Sequence, residues 1–136
     1  MIQRVQTVYL ALAAIFVGIF LGLPLFSYNN GEVVYTAFHS TIGLACSILF
    51  IIATVGVILM YKNRPLQIKL TGTLIVLLAI VAGIYKFQFF HYISINYHPT
   101  LKAGLFMLLF SLIFLFLAIR NIRKDEKLVR SSDRLR

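Results

Sequence analysis

At 136 residues, with 60% hydrophobic and only 12% charged side chains and a mean hydropathy of +0.91, the chain is too apolar for one small water-soluble core. A soluble domain carries about 25% charged residues, so lipid is expected to cover the apolar surplus here. That excludes a soluble enzyme, a disordered tail and a disulfide-rich secreted domain. The lone cysteine, Cys46, leaves no partner for a CxxC redox pair or a thiolate metal cluster within the chain.

The first apolar run, Val8 to Phe26, follows the basic Arg4. It exceeds the roughly 7–15 residues of a signal-peptide core and has no small-x-small site after it, so it reads as an uncleaved helix over about residues 5–26. A polar turn, Ser27 to Gly31, leads to a second helix predicted over about residues 36–61. Lys62-Asn63-Arg64-Pro65 is a tight turn whose proline suits the first turn of a third helix, over about 67–90. An aromatic link from Phe87 to Pro99 precedes a fourth helix, over about 100–122, and a basic tail at 123–136. Backbone polar groups in hydrocarbon must be satisfied internally, so each crossing is helical. The expected fold is an all-α membrane protein, one domain of four transmembrane helices in an antiparallel bundle with a basic, helical C-terminal tail.

Charge placement predicts the orientation. With the N-terminus inside, eleven of the 13 Lys/Arg residues fall on the inner side, leaving only Lys86 and Lys102 outside. By the positive-inside rule both termini are cytoplasmic. Tyr28, Tyr35, Tyr85, Tyr92 and Tyr97 gather at the other interface, as an aromatic belt does.

Few residues suggest chemistry. Ala14, Gly18 and Gly22 repeat at four-residue spacing on helix one, echoed by Gly43 with Ser47 and by Ala79 with Gly83. Such ridges let helix backbones approach closely. They are expected to pack within the bundle, with a homo-oligomer contact as the other option. Phe106, Phe110 and Phe114 form a stripe that is expected to face lipid or fill gaps rather than hold a quinone-like ligand. His39, His91 and His98 all fall near the outer face and are weak candidates for a metal; they lack helical ligand spacing, and only Glu32 is a nearby carboxylate. No carboxylate is expected inside any crossing, which argues against proton-coupled transport. No nucleophile–base pair or phosphate loop is visible, so no enzymatic activity and no cofactor are expected.

The inner face is the most distinctive surface. It comprises Arg4, the Lys62–Arg64–Lys69 hairpin and the tail with Arg123, Lys124, Asp125, Glu126, Lys127, Arg130 and Arg134. Arg4 is a possible partner for Asp125 or Glu126. The tail could rest on anionic headgroups at about 1 kcal/mol per basic residue, or dock a protein; with no interleaved aromatics, nucleic acid fits it poorly.

Three segments, MIQRVQTVYLALAA, YKNRPLQIKL and IRKDEKLVRSSDRLR, resemble a family of uncharacterised bacterial four-helix membrane proteins, a domain of unknown function. The resemblance covers nearly the whole chain and implies an inner-membrane location and this topology, with no activity attached. The reading that results is a multi-pass inner-membrane scaffold or accessory subunit that binds a membrane or cytoplasmic partner through its basic face. The alternative is a small ligand- or metal-binding membrane protein that uses its outer aromatics and histidines.

Overall fold

The computed structural model describes residues 3–28, 33–60, 63–94 and 100–133. Helix α1 spans Gln3–Gly22, α2 Thr41–Leu59, α3 Arg64–Ser94 and α4 Gly104–Asp133. Three short strands, β1 (Pro24–Tyr28), β2 (Val33–Thr36) and β3 (Thr100–Leu101), lie between the helices.

Each helix buries one narrow stripe spaced alternately four and three residues apart. On α1 the stripe is Gln6, Leu10, Ala13, Val17 and Phe20; on α3 it is Gln67, Thr71, Leu74, Leu78, Val81 and Tyr85. Helix α2 buries Gly43, Ser47, Phe50, Thr54 and Val57, and α4 buries Leu108, Ser111, Leu115, Ala118, Ile122 and Asp125. A mean period of 3.5 residues keeps one seam facing its neighbours along the whole helix. Helix α1 packs on α2 and α4, and α3 packs on the same two. Ser111 donates to the carbonyl of Ala13 at 3.0 Å, Tyr9 stacks on Phe114, and Phe16 packs against Phe110 and Phe114.

The remaining faces point outward and are apolar. All four helices are long and apolar enough to cross a membrane, and only 28% of each such window is buried inside the molecule. Ile42, Ile52, Val76, Phe87, Leu109 and Ile113 are among the exposed large side chains. Water would penalise that surface heavily, whereas lipid accepts it.

The connection after α1 differs from the loop predicted. β1 is the central strand of a small antiparallel sheet in the order β2-β1-β3. Phe26 stacks on its cross-strand neighbour Tyr35 at 4.5 Å, and Ser27 shares a 2.8 Å hydroxyl hydrogen bond with Thr100. Pairing satisfies the backbone groups of short connections where helix is unavailable. The all-α expectation therefore holds for the crossings and not for the cap at this end.

Two helix boundaries also shift. Helix α3 continues through the predicted aromatic link to Ser94, which puts His91 on its last turn. Helix α4 continues unbroken from the apolar span into the predicted tail and ends at Asp133, because Ile122 and Asp125 extend its buried stripe.

Candidate functional site

The end of the molecule where α1 and α3 begin and α4 ends carries the charge. Lys69, Arg123, Lys124 and Lys127 are exposed there, and Glu126 is half-buried. Arg64 Nη1 donates to the main-chain carbonyl of Asp125 at 3.2 Å, tying α3 to α4. The side chains of Arg4, Arg130 and Arg134, together with Lys62 and His98, lie outside the described residues.

Asp125 departs from its predicted role. It is 4% exposed and so cannot offer its side chain to a docked partner. Neither carboxylate oxygen has a hydrogen-bond partner among the described residues; the ion pair considered with Arg4 falls on a side chain outside them. Asp125 lies on the unbroken helix α4, beyond the end predicted for the fourth crossing at residue 122, in a stretch, Gly104–Val129, that is a candidate span by length and composition.

Two further polar residues line the core at this end. Gln6 and Gln67 are both fully buried. Gln67 donates to the carbonyl of Val57 at 3.3 Å, but its amide oxygen and both polar atoms of Gln6 have no partner. Thr54 and Thr71 instead satisfy their hydroxyls on their own helices, at the carbonyls of Phe50 and Gln67. Sequence reasoning passed over both glutamines. The signal was present: stepping the four-three spacing back from Leu10 lands on Gln6, and back from Thr71 on Gln67.

At the sheet end, Tyr35 donates to the Gln88 amide oxygen at 3.0 Å, and Gln88 donates to Ser40 Oγ at 2.8 Å. Ser40 caps α2 by accepting from the amide of Gly43. The His39 ring is committed locally, with Nδ1 at 3.2 Å from the amide of Thr36 and 3.0 Å from its hydroxyl. His91 is exposed on α3. Among the described residues no three His, Cys, Asp or Glu side chains come together as a metal-binding group.

The small-residue ridges divide. Gly43 meets α3 closely: a Cβ built there would lie 2.6 Å from Tyr85 Cζ. Tyr85 itself donates to the carbonyl of Ala37 at 3.2 Å. Gly18, Gly22 and Gly83 have open space where a Cβ would point, so they do not pack inside the molecule as expected. Ala14 is half-buried and Ala79 exposed. The buried stripe of α1 runs through Ala13 and Val17, which turns Gly18 and Gly22 outward. Gly83 instead helps to wall an open groove of about 560 Å³ with Ile42, Ile80, Ile84 and Phe87. A close approach that was not anticipated is Gly104, where a Cβ would lie 2.6 Å from the carbonyl oxygen of Pro24.

Four span-competent helices with apolar outer faces define a multi-pass membrane protein. Within that class, the chain belongs to the family described as domain of unknown function DUF4293, whose model matches residues 2–135. No curated protein and no solved structure matches the chain.

Proposed function

We propose that this protein is a non-enzymatic scaffold or accessory subunit of a bacterial inner membrane, an antiparallel four-helix bundle with both termini in the cytoplasm. Its charged end docks an acidic, partly apolar segment of a partner protein. The observation that carries this reading is the rigid presentation of Arg123, Lys124 and Lys127. All three are exposed on the last turns of α4, while Ile122 and Asp125 on the same turns are buried. Leu128 and Val129, 50% and 43% exposed, add apolar area beside the cations. A mixed surface of this kind suits an amphipathic acidic segment better than headgroups alone, which reward charge without shape.

A photoreactive amino acid placed at Arg123 or Lys127 tests this in native membranes. A discrete protein adduct is expected, lost when Lys124→Glu reverses the neighbouring charge. Adducts to lipid alone, or a protein adduct indifferent to Lys124→Glu, overturn the docking reading. Charge reversal is a cleaner test than deleting the tail, which would also remove buried Asp125.

A further inference from the structure

The open groove between α2 and α3 has a volume of about 560 Å³, within the roughly 300–1,000 Å³ of small-molecule sites. Ile42 of α2 and Ile80, Gly83, Ile84 and Phe87 of α3 make its wall apolar, while Ser40 and Gln88 make one end polar. Ser40 Oγ accepts from the amide of Gly43 at 3.1 Å and from Gln88 Nε2 at 2.8 Å. With both lone pairs used, its O–H proton remains to be donated, and no acceptor for it lies among the described residues. The residue is only 5% exposed. Gln88 gives its amide oxygen to Tyr35 and one N–H to Ser40, which leaves its second N–H without an acceptor as well.

Two spare donors at one end of an apolar groove call for an apolar molecule that ends in an acceptor oxygen. Covering the apolar wall brings little by itself, because lipid tails are as apolar as the wall; the donors decide what is held. A helix of a second copy has no acceptor to spare, since its carbonyls are bonded along its own backbone. A phospholipid has one where each chain meets the glycerol, in its ester carbonyl. The depth agrees. Ser40 immediately precedes the span-competent stretch Thr41–Leu59, which puts the polar pair at the boundary between chain and headgroup. From Gln88 to Ile80 the groove follows α3 for about 12 Å toward the middle of the span.

We propose that this groove is a phospholipid site: an ester carbonyl accepts from Ser40 and Gln88, and the acyl chain below it lies along Ile84, Gly83 and Ile80. Gly83 is what leaves room for the chain, since a Cβ there would meet nothing within 4 Å. The site is at the opposite end of the molecule from Arg123, Lys124 and Lys127 and does not depend on what those cations bind.

The test is native mass spectrometry of the delipidated full-length protein in detergent, titrated with a diester phosphatidylcholine or with its dialkyl ether analogue. The two lipids share chains and headgroup and differ in the carbonyls; having no net charge, neither is drawn to the cations at the other end. The first diester molecule is expected to bind about fivefold more tightly than the first diether molecule, as one hydrogen bond provides. Gly83→Leu, which fills open space, is expected to remove that binding. Ser40→Gly combined with Gln88→Met removes both donors, and glycine is tolerated at a helix N-cap; this variant is expected to bind the two lipids equally. The comparison of lipids on the unaltered chain needs no variant to fold. Equal binding of diester and diether lipid there, or diester binding undiminished by Gly83→Leu, overturns the proposal. So does displacement of the diester lipid by an equimolar isoprenoid quinone, or a dimer of the chain that Gly83→Leu dissociates.

Discussion

Glycine has opposite consequences at different places in this chain. At Gly43 the missing side chain lets the Tyr85 ring lie against the backbone of α2, with 2.6 Å between Tyr85 Cζ and the site a Cβ would take. Tyr85 is fully buried, packs edge-on against Phe20 and donates to Ala37, so it has no easy retreat. Gly43→Ala is expected to destabilise the protein by about 1–3 kcal/mol, as overpacking does. Gly18→Ala and Gly22→Ala, which enter open space, should change stability by no more than about 0.5 kcal/mol. Thermal unfolding in detergent separates these outcomes; equal losses at all three positions would refute the assignment of Gly43 as the close-packed one. The sequence presents all three as small residues in similar apolar runs. Which one touches a neighbour depends on the rotation of each helix about its axis.

At the scale of the element, α4 shows how a buried stripe sets helix length. Its apolar composition weakens at Arg120, yet the stripe continues through Ile122 to Asp125, and the helix continues with it. An isolated stretch of the residues beyond 122 would be too short to hold a helix in water; packing against α1 and α3 supplies what propensity lacks. Ile122→Ala removes the fully buried anchor of these turns, and losses of about 2–5 kcal/mol are usual for such truncations. Amide hydrogen exchange in detergent should therefore quicken selectively over residues 123–133, with α2 unaffected. Unchanged protection there would mean that the last turns are helical without the contact.

Across the whole molecule, polarity is inverted relative to a water-soluble protein. Apolar side chains cover the outside of the spans, while serine, threonine and glutamine sit among leucines within. Most of the hydroxyls are tied to backbone: Ser47 to Gly43, Thr54 to Phe50, Thr71 to Gln67 and Ser111 to Ala13. The exceptions cluster at one end, where Gln6, Gln67 and Asp125 keep unpartnered atoms. The proposed orientation puts that end in the cytoplasm. In sealed right-side-out vesicles of a Cys46→Ala background, Lys102→Cys is then expected to react with an impermeant thiol reagent, and Lys127→Cys only after permeabilisation. The reverse pattern would invert the orientation and, with it, the side on which any partner is sought.

Composition and the spacing of apolar runs were enough to specify four membrane-spanning helices, because a helix must cover about 30 Å of hydrocarbon with its own backbone bonded. The family was legible in the same way, in contiguous segments. The facing of each helix was not, since a membrane helix is apolar on almost every side and its buried stripe stands out little. That is why the glycine ridges were assigned inward and the two glutamines were overlooked. The depth of Asp125 was hidden for a related reason: a hydropathy boundary ends where charge begins, whereas a helix ends where its packing does. Only the tertiary structure, by packing α1 and α3 against α4, brought one carboxylate and two amides from distant parts of the chain to the same end of one core.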